Sequence, residues 1–117
     1  MRQWSVIAGL VLVAGSAMAG DGWTRLKGAE VTAALAARSV LYADGASQDF
    51  RADGGTTYTK DRPTLGQWRV QGDNYCSVWP PSDRWVCYSV ERSADGLSVR
   101  FIAADGGATT GRYNDLQ

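Results

Sequence analysis

Two cysteines constrain this chain more than any other feature. Cys76 and Cys87 lie in segments 74–79 and 84–90, both rich in β-branched and aromatic residues, and Pro80-Pro81-Ser82-Asp83 separates them. Proline presets φ, and Ser or Asp can bond back to the backbone, so these four residues read as a turn. If Trp79 and Arg84 close that loop, an antiparallel register sets Cys76 directly opposite Cys87. Directly opposed Cβ atoms sit about 4.5–5.5 Å apart, within reach of a disulfide. A bond closing so short a loop contributes about 2–3 kcal/mol. Redox-active pairs are usually C-x-x-C at a helix N-terminus, which these are not. The sequence has no histidine to complete a metal site. A structural disulfide is the expectation, and no cofactor is expected.

The same register logic extends to both neighbours. With Gly72-Asp73 as a two-residue turn, Val70 faces Tyr75 and Trp68 faces Ser77. With 93–96 as a four-residue turn, Tyr88 faces Phe101, Val90 faces Val99, and Val86 faces Ala103. One face then carries Trp68, Val70, Tyr75, Val86, Tyr88, Val90, Val99 and Phe101. The other carries Arg69, the disulfide, Val78, Trp85, Ser89, Glu91, Ser98 and Arg100. Three registers set by separate turns agree on one apolar face, as a half-buried sheet requires. Phe50 and Tyr58, paired across 53–55, extend that face.

Ala-Asp-Gly occurs four times, at 43–45, 52–54, 94–96 and 104–106. Glycine accepts φ > 0 and Asp bonds locally, so these are turns at meander spacing. Candidate strands are 39–43, 47–52, 56–60, 67–71, 74–79, 84–92, 97–103 and 108–113, with 61–66 a loop. Residues 28–37 differ: alanine-rich, with Val31 and Leu35 at helical spacing, they read as one short helix packed on the sheet. The fold class is therefore mainly β (α+β), an antiparallel meander of about eight strands in a curved sheet or small barrel. The large inward residues point to a filled interior.

The N-terminus has a basic residue, Arg2, an apolar stretch over 4–13, and Ala17-Met18-Ala19. That order is a secretory signal peptide, so 1–19 is expected to be removed, leaving 20–117 as a single β-rich domain. The apolar run is too short for a bilayer core, which needs about 20 residues. No membrane span is expected in the mature chain, and the periplasm is the expected compartment, with secretion the alternative. The full chain has 12 basic and 12 acidic residues, so no cationic excess favours nucleic acid.

Several runs carry a resemblance: Leu26-Lys27-Gly28-Ala29-Glu30; Phe50-x-Ala52-Asp53-Gly54; Gly66-Gln67-Trp68-Arg69-Val70; Tyr75-Cys76-Ser77-x-Trp79-Pro80-Pro81; Trp85-x-Cys87-Tyr88; and Gly111-Arg112-Tyr113. Together they resemble a group of small exported alphaproteobacterial proteins of unknown function. The resemblance covers nearly all of the mature chain and implies compartment and domain, not chemistry.

Catalytic residues are scarce. Without histidine or a free cysteine the usual base and nucleophile are missing. Most aspartates sit in turns, Glu30 opens the helix, and Glu91 is expected to face solvent opposite Ser98. The expected function is a non-catalytic domain binding a protein, glycan or small-molecule partner. The alternative is a small carboxylate-dependent hydrolase or lyase of the cell envelope. The candidate binding residues are Trp79, Arg84 and Trp85, around the Pro-Pro loop, where exposed aromatics could contact a partner.

Overall fold

A computed structural model describes residues 18–19 and 22–115. The expected signal segment therefore lies, except for Met18 and Ala19, outside the described residues. In chain order the elements are β1 (Met18–Ala19), β2 (Trp23–Arg25), α1 (Ala29–Leu35), β3 (Arg38–Tyr42), β4 (Ser47–Phe50), β5 (Gly55–Thr59), β6 (Pro63–Gln71), β7 (Asn74–Val78), β8 (Val86–Ser93), β9 (Ser98–Ile102) and β10 (Ala108–Tyr113). Strands β3 to β10 pair in sequence order, all antiparallel, and β10 returns to β3 to close an eight-stranded barrel. Closure removes the unpaired edges that an open sheet would expose. The short β2 lies outside this ring. It continues the β7 edge of β8, pairing Trp23 with Ser93 and Arg25 with Glu91. Three residues carry too little pattern to be read as a strand from the sequence, so β2 is an addition to the expected set.

The central hairpins have the expected registers. Cys76 faces Cys87, Val70 faces Tyr75, and Trp68 faces Ser77. The two cysteines are bonded, with Cα atoms 4.0 Å apart. Two other registers differ from expectation. Val90 pairs with Phe101 and Arg92 with Val99, not Val90 with Val99. Phe50 pairs with Thr56, and Tyr58 with Gln48, rather than Phe50 with Tyr58. Each slip is two residues, so every side chain stays on its expected face.

The reason lies in the Ala-Asp-Gly turns. In all four, the glycine N–H donates to the carbonyl of the residue before alanine, at 2.9–3.0 Å. Each aspartate Oδ1 accepts the N–H two residues on, at 2.8–3.0 Å. The glycines take φ of 74° to 97°, which an L side chain resists. At 43–45, 52–54 and 104–106 the residues on either side of the tripeptide bond each other, from Tyr42, Arg51 and Ala103 to Ala46, Gly55 and Gly107. The tripeptide is thus the whole loop, a three-residue hairpin with its left-handed residue last. The expected loops, 53–55 and 93–96, are each displaced by one residue from the observed ones, 52–54 and 94–97, and a one-residue shift of a loop moves the pairing by two.

Two expected boundaries also shift. The predicted loop 61–66 is shorter, because Pro63 to Gly66 pair with β5 as the start of β6. The proline is compatible because it is the strand's first residue. Helix α1 ends at Leu35, before the predicted 37, because Ala36 is extended and Ala37 has φ 62°. There the Ala37 N–H donates to the Phe50 carbonyl at 2.7 Å, a tertiary bond that outweighs alanine's helix propensity.

Helix α1 plugs one end of the barrel. Val31, Ala34 and Leu35 are fully buried and join Val40, Phe50, Trp68 and Val90 in one core. The Gly28 N–H donates to Asp73 Oδ1 in the β6–β7 turn at 2.9 Å. Tyr113 Oη donates to the Ala34 carbonyl at 2.6 Å. Glu30 stands in the first turn, as expected, and its carboxylate accepts the Lys27 N–H. Val86, expected inside, is 44% exposed at the opposite end, where no helix covers it. Glu91 is buried rather than solvated. It lies opposite Arg100, not Ser98, with Arg100 Nη2 2.6 Å from its Oε1 and the guanidinium over the Trp23 ring.

Candidate functional site

Aromatic rings run in an unbroken series along the barrel axis. Phe50 meets Trp68 edge-on at the helix end, with centroids 5.9 Å apart, and Tyr75 at 5.7 Å. Tyr75 contacts Phe101 at 5.1 Å and Tyr88 at 5.9 Å. Tyr42 then meets Phe101 and Tyr58, and Tyr58 meets Trp79. Such pairs add to area burial when offset or edge-to-face.

The series does not fill the barrel. Beyond Phe101 and Tyr75 the interior opens into a cavity of about 750 Å³ at the end away from the helix. The filled interior expected from the sequence is therefore true of the helix end alone. Eight strands leave room for side chains or one small ligand, and this volume is in the range of ligand sites. Tyr42, Tyr58, Tyr75, Trp79, Tyr88 and Phe101 form the aromatic wall. Thr64, Thr109 and Thr110 line it towards the rim.

A polar cluster sits among those rings. Gln48 is buried, and its Nε2 donates to Thr56 Oγ1 at 2.9 Å and Tyr75 Oη at 3.2 Å. The Thr56 hydroxyl is committed to the Asp49 carbonyl at 2.7 Å, so it must accept from Gln48. This fixes which way the amide points. Gln48 Oε1 in turn accepts from Tyr42 Oη at 2.7 Å. Burial pushes the Tyr42 and Tyr75 phenols up from their ordinary pKa, so both keep their protons throughout the physiological range.

The cavity lining has a single carboxylate. Asp44 sits in the β3–β4 turn, 3.0 Å from Lys60 Nζ, with both side chains about half exposed. The Ala46 N–H, and then Lys60, hold its pKa below the ordinary carboxylate value. It is ionised and neutralised at the rim.

The three residues singled out from the sequence fall in different places. Trp79 lies on the cavity wall, its Nε1 donating to Ser77 Oγ at 3.2 Å. Room for its ring comes from Gly66, where an added Cβ would be 2.6 Å from Trp79 Cε3. Trp85 is on the outer surface beneath the Arg69 guanidinium, 3.9 Å from the ring centroid. Since Arg69 pairs with Cys76, that stack lies beside the disulfide. Arg84 is exposed in the loop, where its N–H donates to Ser82 Oγ at 3.1 Å, and its side chain has no ion-pair partner among the described residues. The Pro80-Pro81 bond is cis. Tyr42, Gln48, Tyr58 and Ser77 went unremarked as site residues. Inward polar positions such as Gln48 and Ser77 were the available signal, since a filled apolar core has no use for them.

Fold and cavity together define a class: a closed, eight-stranded, up-and-down barrel, plugged by a helix at one end and open at the other onto an aromatic pocket. Comparison with protein-family models, curated proteins and solved structures finds no match. Among the described residues, no helix is long and apolar enough to cross a membrane.

Proposed function

We propose that the protein is an exported, periplasmic, non-catalytic binding protein that takes a small molecule into the open end of its barrel. The observation that carries this reading is the aromatic cavity of about 750 Å³ opposite the helix plug. A barrel that served only as a scaffold would gain stability by filling that volume. The disulfide supports an oxidising compartment. The state of Asp44 speaks against carboxylate catalysis in the cavity. Ionised and paired with Lys60, it is a poor general acid, and the lining supplies no second carboxylate to work with it.

The test is native mass spectrometry of the protein recovered from the periplasm of a producing cell. The reading expects the mass of residues 20–117 less two hydrogens, plus a dissociable small molecule. A bare chain from every growth condition, with no small molecule in its solvent extract, would count against ligand binding. Retention of residues 1–19 would count against export with cleavage.

A further inference from the structure

The hydrogen bonds among the cavity's polar groups do not balance. Three hydroxyls border the cavity beside Gln48: Tyr42, Tyr75 and Ser77. The Tyr42 hydrogen is spent on Gln48 Oε1. Tyr75 Oη accepts from Gln48 Nε2, and Ser77 Oγ accepts from Trp79 Nε1. The hydrogens of Tyr75 and Ser77 remain. These two hydroxyls also interact with each other, but one contact can consume only one hydrogen. At least one O–H donor on the cavity lining therefore has no hydrogen-bonded acceptor among the described residues. On the other side of the amide, no donor among them serves the Tyr42 oxygen, and Tyr42 also borders the cavity. Both phenols resist ionisation, so this pattern does not change with pH in the working range.

Charge narrows the ligand further. The lining has no cationic side chain, and its one carboxylate, Asp44, is already neutralised by Lys60. An anion entering the barrel would lose its hydration and meet only rings and neutral hydroxyls. A cation would find the rim carboxylate taken. Resting on the binding function proposed above, we infer that the cavity selects a neutral, largely apolar ligand that ends in a hydrogen-bond acceptor such as a carbonyl. Its apolar body lies against Tyr58, Tyr88 and Trp79, and its acceptor takes the spare hydroxyl hydrogen of the Tyr75–Ser77 pair.

The experiment uses four naphthalene probes of near-equal size on the folded, oxidised protein: 2-acetylnaphthalene, 2-ethylnaphthalene, 2-naphthoate and a naphthyl-trimethylammonium. Affinity is read by isothermal titration and by quenching of tryptophan fluorescence. The ketone is expected to bind about tenfold more tightly than the ethyl compound, and more tightly than either ion, since an unmatched buried donor is what the ethyl compound leaves. The preference should be the same at pH 5.5 and pH 8. Tyr75→Phe combined with Ser77→Ala should bring ketone and ethyl affinities together while keeping the rings. Should that double variant misfold, the wild-type series decides alone. Equal affinity for ketone and ethyl compound, or tighter binding of an ion, overturns the inference while leaving the cavity a binding site. No binding by any of the four overturns the binding function, and this inference with it.

Discussion

Replacing both cysteines with alanine removes the one covalent constraint among the described residues, and the size of its effect follows from the structure. The bond joins residues with a sequence separation of 11. A cross-link around so short a loop withdraws about 3 kcal/mol of chain entropy from the unfolded ensemble. Cys76 is fully buried, so losing its sulfur adds a small void worth up to about 1 kcal/mol. The variant should therefore lose about 3–4 kcal/mol in all. For a domain of this size each kcal/mol lowers the midpoint by about 4–8 °C, so the melt should fall by more than about 10 °C. Urea unfolding followed by tryptophan fluorescence gives both the free energy and the slope m. The slope should rise, because the unfolded chain without its cross-link exposes more surface. The folded barrel should be unchanged, since the β7–β8 register is also fixed by backbone pairing on both sides. A loss under about 1 kcal/mol with unchanged m would refute the claim that the bond acts by constraining the unfolded chain.

Other consequences are as specific. Tyr113→Phe leaves the Ala34 carbonyl without its 2.6 Å partner inside the core and should cost about 1–3 kcal/mol in urea unfolding. Glu91→Gln breaks the partly buried pair with Arg100 and should cost about 1–3 kcal/mol by the same assay, whereas a solvated Glu91 would give no change. Gly66→Ala sets a methyl 2.6 Å from the Trp79 ring and 2.7 Å from the Val78 carbonyl; loss of near-ultraviolet ellipticity from Trp79 and a lower melting point are expected, and a wild-type spectrum would contradict the packing. Asp44 is held below its ordinary pKa by the Ala46 N–H and Lys60, and Asp95 by the Ser93 hydroxyl and the Leu97 N–H. Depressed folded values mean that their contribution is present above the unfolded pKa and fades as pH falls through the folded one. Melting temperature should thus be flat from neutrality to about pH 5 and drop below about pH 4, less steeply in an Asp44→Asn/Asp95→Asn variant.

What the sequence revealed and what it hid divide along a physical line. The Cys76–Cys87 pairing was legible because a fixed loop length admits one register, and the opposed cysteines checked it. The faces of β6 to β9 were legible because period-two alternation survives a two-residue slip, so Val90 and Phe101 were placed inside even where their partners were not. The registers at 50–56 and 90–101 were missed because the loops were placed one residue away, at 53–55 and 93–96 rather than 52–54 and 94–97, and each such step moves the pairing by two. A small barrel was one of the two expected forms, and the pairing of β10 with β3 decides for it; the sequence left the choice open, since closure joins the ends of the meander and no local turn encodes it. The cavity was missed for a related reason. Large inward residues such as Tyr58, Tyr75 and Tyr88 suggest filling, but in a closed ring they line the wall and leave the axis open. Trp79 was singled out for its place beside the Pro-Pro loop, yet it faces inward, while Trp85, its apparent companion, is on the outside.

That separation supplies the most direct test of a binding site in the barrel mouth. The described tryptophans occupy distinct surroundings: Trp23 beneath Arg100, Trp68 donating to the Arg51 carbonyl, Trp79 on the cavity wall, and Trp85 beneath Arg69. Their indole N–H groups give one nitrogen-15 correlation peak each, assignable by single Trp→Phe variants. On titration with 2-acetylnaphthalene the Trp79 peak should move, while those of Trp23, Trp68 and Trp85 stay in place. Movement of Trp85 or Trp23 in place of Trp79 would put the ligand on the outer surface and contradict the account, as would four unmoved peaks at a saturating concentration of probe.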